Sequence, residues 1–243
     1  MTAYRDRLYE KYVEARDNPV APASLDGLRG RAAPLRRLIR RYFPANHDAV
    51  ILDLGCGHGA LVHFAREAGY GNASGVDRSS QQVEAAARLG IAGVRRGDLI
   101  GTLKSQADGS HDIIVAFDVI EHLTKDELIM LTDEVKRVLC AGGKWIIHAP
   151  NAESPMFGRI RYGDLTHEQA FTRVSLSQLL LSSGFSRVEC EEDAPHPHGM
   201  KSLARWLLWK CIRVALRVYL AVETGSGERA AIFTQNLIAV ATK

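Results

Sequence analysis

The sequence is short of several things that would set its class at once. It has only four cysteines, Cys56, Cys140, Cys190 and Cys211, and no two stand in a CxxC spacing. That argues against a disulfide framework or a structural zinc site and fits reduced thiols in a cytosolic compartment. No stretch of about 18 uncharged apolar residues occurs, so no membrane-crossing helix is expected. The opening "MTAYRDRLYEKYVEARDNP" is polar, so no signal peptide is expected either. Net charge is only +3 over 243 residues, which does not call for a nucleic-acid partner. There is no internal repeat. What remains is 46% apolar and 24% charged, the composition of a globular chain with a full core.

The apolar pattern alternates between two periods. Strands are expected over 49–54, 73–77, 92–98, 112–118 and 144–150, with helices over 59–69, 80–90 and 125–143 between them. Two more helices, over 1–20 and 25–42, precede the first strand. Strands alternating with helices of this length predict a parallel, doubly wound sheet. After Pro150 the rhythm breaks into a long polar loop, 151–172, of the kind that is usually functional. A helix over 173–183, a strand over 185–191, an inserted helix over 200–222 and a last strand over 231–242 complete the expectation.

The first strand runs into "LGCGHG", with Asp53 before Gly55, Cys56 and Gly57. A strand, a glycine turn and a helix N-terminus bring backbone close to a ligand. The spacing is not the G-x-G-x-x-G of dinucleotide folds. An acid at Asp53 repels a pyrophosphate and attracts an amine. Asp77 ends the second strand, where a carboxylate can accept both ribose hydroxyls, and Asp98 ends the third, near an adenine amino group. An adenosine bearing an amino-acid cation, S-adenosylmethionine, satisfies all three.

"ILDLGCGHG", "GVDRSSQQVEAA", "GDL" and "IIVAFDVIEHL" resemble the successive motifs of class I S-adenosylmethionine-dependent methyltransferases over residues 45–190. The resemblance implies an α/β, Rossmann-like sheet of seven strands with the last antiparallel. It also implies that Asp53, Gly55, Cys56 and Gly57 hold the methionine end, Asp77 the ribose, Asp98 and Leu99 the adenine, with Arg78 over the ring and Asp118 beside the cofactor. The expected organisation is one domain over 1–243: an N-terminal cap (1–44), the cofactor-binding core (45–191), an inserted amphipathic helix (195–228) and the last strand (230–243).

Candidates for the chemistry follow the fourth strand. Asp118, Glu121 and His122 stand in D-x-x-E-H, and His167 in the long loop can close the set around Mg2+ or Mn2+. The small-RNA 3′-terminal 2′-O-methyltransferases resemble this arrangement, with Asp118 here in place of their first Glu, and ubiquinone-type O-methyltransferases share the E-H feature. The alternative is a metal-free site in which Glu121 shapes the pocket and His122 or His167 is the general base. His148, on an apolar strand, reads as a satisfied core or pocket-edge residue and not as a ligand. The stretch 150–172, with "RYGDLTHEQAFT", is similar to methyltransferases of bacterial polysaccharide and O-antigen clusters, which implies a sugar hydroxyl, with Arg159 and Arg161 able to meet a phosphate or an acidic sugar.

The inserted helix carries Arg205, Lys210, Arg213 and Arg217 on one arc of about 140° at 100° per residue, with an apolar remainder. It can lie in a membrane interface, pack on the sheet or on a second subunit as a homodimer, or form a lid. The N-terminal tyrosines and Arg5 can close the cofactor pocket from the other side. The expectation is a cytosolic O-methyltransferase, at the inner membrane face if the 201–222 helix meets lipid, with a small-molecule or glycan acceptor. RNA 2′-O-methylation, a quinone or phenol acceptor, and a non-catalytic cofactor-binding module are the alternatives.

Overall fold

The computed structural model describes residues 21–226 and 230–243, together with Leu8 and Glu228. The expected helix over 1–20, with its tyrosines and Arg5, otherwise lies outside the described residues. A 3-10 turn, Leu25–Leu28, leads into α1, Arg29–Tyr42. The chain then alternates through β1 (Ile51–Leu54), α2 (Ala60–Glu67), β2 (Ala73–Asp77), α3 (Ser80–Arg88), β3 (Val94–Arg96), α4 (Leu99–Lys104) and β4 (His111–Phe117). A 3-10 turn, Ile120–His122, precedes α5 (Lys125–Val138) and β5 (Leu139–Pro150). The rest is α6 (Phe157–Arg161), α7 (Arg173–Ser182), β6 (Arg187–Glu192), α8 (Met200–Thr224) and β7 (Asn236–Thr242).

The seven strands form one sheet in the order β3-β2-β1-β4-β5-β7-β6. Strands β1 to β5 pair in parallel, and β7 runs antiparallel between β5 and β6. This is the expected fold. Side chains alternate across a strand, so a strand covered on both faces reads as an unbroken apolar run. In β4, Ile114 and Ala116 join the core that contains Leu131, Val135, Trp145 and Leu176. Their neighbours Ile113 and Val115 join the opposite core with Leu35, Ile39, Leu61 and Phe64.

Helix α5 buries Leu128, Leu131, Thr132, Val135 and Val138, the i, i+3, i+4, i+7 stripe of a helix laid on a sheet. Its start is set by a capping box: Glu127 N donates to Thr124 Oγ1 at 3.3 Å and Thr124 N to Glu127 Oε2 at 2.8 Å.

Three boundaries differ from expectation. Helix α5 stops at Val138, because Leu139 pairs with His111 of β4 and Gly142 (φ 77°) turns the chain. Helix α4 was not anticipated; its six residues are too few to show a period, and Asp98 caps it by accepting from Gly101 N at 2.8 Å. Strand β7 begins at Asn236 rather than 231, since Asn151 Nδ2 donates to the carbonyls of Ile232 (2.7 Å) and Thr234 (2.8 Å) and holds that segment as a loop.

Candidate active site

Two groups of side chains meet at the C-terminal edge of the parallel strands. The first lies over β1, β2 and β3. Asp53, on β1 opposite Gly75 and Val115, is only 4% exposed. Burial pushes its carboxyl up to about 8, opposed by Arg31 and reinforced by the negative charge of Asp77. Gly55 follows at φ 69°, and a Cβ there would lie 2.6 Å from Val119 Cγ2, so both conformation and space demand glycine. Gly57 (φ 56°) donates its N–H to Asp77 Oδ2 at 2.8 Å. Ser79 N donates to Asp77 Oδ1 at 2.9 Å. A carboxylate has about four acceptor sites, so Asp77 keeps capacity for further donors. Burial raises its pKa, against those two hydrogen bonds.

Cys56 packs against Gly75, and burial pushes its thiol up, so it remains protonated. Arg78 is exposed next to Asp77. Asp98, exposed, is the cap of α4 already described, and Leu99 is its first residue. The structure thus brings the sequence-expected residues of the first three strands to one edge, although Asp98 falls just past β3, not on it.

The second group lies beyond β4. Asp118 adopts φ 54°, the only positive φ outside glycine among the described residues. Such a conformation is rare off glycine, and aspartate tolerates it better than most. Its Oδ1 accepts from His148 Nδ1 at 2.7 Å, and His148 Nε2 donates to Asp193 Oδ2 at 3.3 Å. Burial opposes charge on His148, yet the two carboxylates outweigh it and push its pKa up to about 10. Asp118 is walled by protein but open to water at the cleft; burial works to raise its pKa, and His148 overcomes that and lowers it. His148 is therefore the satisfied pocket-edge residue expected. Asp193 is the partner that sequence reasoning missed.

Glu121 is 1% exposed, and its Oε2 is buried with no hydrogen-bond partner among the described residues. Burial first, then Asp118, pushes its carboxyl up to about 8. Its carbonyl accepts from Glu168 N (2.8 Å) and Gln169 N (3.0 Å), which ties the 151–172 segment to the turn after β4. That segment carries Asp164, Thr166 and His167 inward. Thr166 Oγ1 donates to Asp164 Oδ1 at 2.6 Å, so its contact with His122 Nδ1 at 2.9 Å has the imidazole as donor. The carbonyl of Ile160 accepts from His167 Nδ1 at 3.1 Å. For His122, which stays neutral, this assigns the tautomer in which Nε2 is unprotonated. Burial, then His167, pulls His122 down to about 4 and keeps it neutral. The two rings stand edge to face, centroids 4.8 Å apart.

Ligand atoms of Glu121, His122 and His167 all lie within 4.8 Å of one another. Asp118 was expected to join them; its carboxylate is drawn instead to His148, and the structure does not gather it into the cluster. The long loop contains a short helix and a bridge from Asn151 to Phe171, and is built into the site. Arg31 of α1 was missed too. Its charge acts on both Asp53 and Asp118, and nothing in the pattern of an arginine-rich helix marks one arginine for the cleft.

A family model for a methyltransferase domain matches residues 28–190. Among curated proteins, the ribosomal protein L11 methyltransferase of Clostridium botulinum (strain Eklund 17B / Type B) is 33% identical over 102 residues, 41% of this chain and 31% of that protein. The protein of the same name from Burkholderia thailandensis is 37% identical over 87 residues, 35% of this chain and 28% of that one. The chain thus spans less than a third of the length of these relatives. A SAM-dependent methyltransferase structure from Archaeoglobus fulgidus matches with a TM-score of 0.64 at 20% identity, covering 100% of both chains. Phosphoethanolamine N-methyltransferase 2 of Haemonchus contortus, in complex with S-adenosyl-L-methionine, matches with a TM-score of 0.62 at 17% identity, covering 100% of this chain and 60% of that one. These structural likenesses carry the fold.

Proposed function

The chain belongs to the methyltransferase-domain family; from that premise we propose that it is an S-adenosylmethionine-dependent methyltransferase that methylates a hydroxyl of a sugar in a glycan or glycan precursor. S-adenosylmethionine supplies an electrophilic methyl group on a sulfonium. The residues fit that donor. Asp53, whose burial disfavours its own ionisation, gains from an arriving ammonium. In this reading Gly55, Cys56 and Gly57 line the methionine end and Asp77 accepts from the ribose. Asp98 and Leu99 border the adenine with Arg78 beside it, and Asp118 faces the cofactor from the end of β4.

The observation that carries the hydroxyl reading is the cluster of Glu121, His122 and His167, with one buried carboxylate oxygen lacking a partner. A hydroxyl is a poor nucleophile until its proton is taken up, whereas a free amine attacks directly. The donor set of two imidazoles and one carboxylate fits a divalent cation, Mn2+ better than the oxygen-seeking Mg2+. Such an ion lowers the pKa of a hydroxyl that it binds. The chain's own part is positional: Asp164 and Thr166 fix the ring of His122, and the Ile160 carbonyl fixes that of His167. His122, kept neutral, offers its Nε2 lone pair to such an ion, and in a metal-free site the same lone pair would be the one to take the hydroxyl proton. The sugar assignment rests on the resemblance of "RYGDLTHEQAFT" to polysaccharide-cluster methyltransferases, and this stretch is the one that supplies Asp164, Thr166 and His167. Arg161 donates to the carbonyl of Glu168, the residue after His167, at 3.0 Å, and in this reading its remaining donors meet an acidic sugar or a phosphate.

Radiolabelled methyl donor offered to separated glycan, lipid-linked, RNA and protein fractions should mark the glycan or lipid-linked glycan. Label confined to RNA or protein overturns the sugar reading. A Mn2+ titration followed by electron paramagnetic resonance should show one site that Glu121→Gln removes. A wild-type protein that binds no Mn2+ returns the cluster to metal-free acid–base work.

A further inference from the structure

Helix α8, Met200–Thr224, contradicts the pattern expected of it. In a surface helix of a soluble protein the apolar stripe faces the core. Here only Ser202 of its 25 residues is buried. Of the basic residues on the expected arc, Arg213 turns inward and meets Glu192 of β6 at 3.0 Å, its side chain 26% exposed. The apolar side is the one left outside. Leu203, Leu207, Leu208, Ile212, Val214 and Val218 are each between 44% and 64% exposed. At about 100° per residue they share one arc of about 180°. Soluble monomers rarely expose an apolar patch beyond about 300–600 Å².

The edges of that arc are cationic. Lys210 borders one side, its ammonium 5.2 Å from the centre of the Trp206 ring, Arg205 borders the other, and Lys201 lies just inside that second edge. All three are exposed, and Glu223 is the helix's one acid. We propose that this face docks on the surface of an anionic lipid bilayer, with the apolar arc in the acyl–headgroup boundary and Lys201, Arg205 and Lys210 reaching out to lipid phosphates. Charge selects this occupant. A second copy would bring the same three cations against these, with one acid to answer them. An anionic bilayer offers negative charge along the helix's whole length, about 37 Å at 1.5 Å per residue. The helix does not cross the membrane: no helix among the described residues is long and apolar enough to do so.

The root of α8 ties the surface to the cleft. β7 runs antiparallel to both β5 and β6, so the chain leaves β6 and enters β7 at the strand edge where the site lies. Asp193, at the start of that excursion, holds His148 and through it Asp118. The inference does not depend on the acceptor's identity, since lipid binding is read without catalysis.

The test is co-flotation of the full chain with vesicles. Phosphatidylcholine vesicles containing about 30% phosphatidylglycerol should carry the protein up, and pure phosphatidylcholine vesicles should not. Binding should fall as salt rises from about 0.1 M to about 0.5 M. Replacing Lys201, Arg205 and Lys210 by Ala together should weaken binding roughly hundredfold. Leu207→Glu with Val218→Glu should abolish it, with circular dichroism and cofactor affinity unchanged. Failure of the wild-type protein to float with anionic vesicles overturns the proposal. So does a stable dimer in light scattering that the Glu variants split, since the arc would then be covered by a second copy.

Discussion

The two halves of the cleft are built by different means. Over β1–β3 each functional group sits at or just past the end of its own strand: Asp53 on β1, Asp77 on β2, and Asp98 at the cap that follows β3. Their spacing is local, and the partners of Asp77 are Gly57 and Ser79, on the neighbouring turn and its own. Beyond β4 the groups come from far apart: Asp118 and His148 from adjacent strands, Asp193 from past β6, and Asp164, Thr166 and His167 from the long loop. The first half is set by short-range order at the strand ends, and the second is assembled by tertiary contacts; under the proposed function the first holds the cofactor and the second the acceptor.

Substitutions that separate the halves sharpen this contrast. The largest effect is expected at Asp77. Asp77→Ala removes the acceptor of two backbone N–H groups and of the ribose, and should weaken cofactor affinity at least about 100-fold by calorimetry, since hydrogen bonds to a charged group contribute about 1.5–3 kcal/mol each. Unchanged affinity would dissolve the cofactor assignment. A smaller effect, of opposite kind, is expected at Thr166. Thr166→Val breaks the chain from Asp164 to His122 and should lower kcat about tenfold while leaving cofactor affinity alone, with Thr166→Ser restoring the rate. A loss of cofactor affinity instead would mean that the halves are coupled.

The smallest effect is one of stability. Asp53 has a native pKa of about 8 against an ordinary value of 3.8, so the native fold favours its protonated form. Its contribution is whole below about pH 4 and drains away as pH climbs to about 8. Asp53→Asn removes that loss. The cofactor-free protein should melt about 2–4 °C higher at pH 8 for each kcal/mol recovered, with little change at pH 4. Cofactor binding by the wild-type protein should strengthen toward pH 8 as Asp53 ionises. A variant that melts lower at pH 8 would show that Asp53 is held ionised and paired in the native fold.

The fold was largely legible. Apolar runs such as "DIIVAF" show a strand with both faces covered, and the β–α alternation shows the winding. Short elements escaped because they span fewer than two helical turns, too few for an apolar period to repeat, as α4 does. The placement of acids at the first strand ends was legible for the same reason as the strands. The acceptor side was legible only as residue types: Glu121, His122 and His167 stood out, while Asp193, Arg31 and the Asp164–Thr166 support did not. Asp118 was read as a member of the metal set because its hydrogen-bond partner, His148, lies on another strand.

Local order along the chain was enough to specify a doubly wound sheet with acids at its first strand ends, because strand period, glycine turn and strand-end placement are all short-range properties. Which histidine nitrogen is protonated, which carboxylate is orphaned and which side of α8 faces outward came from packing. Those outcomes depend on contacts between segments tens of residues apart, and no spacing within either segment encodes them.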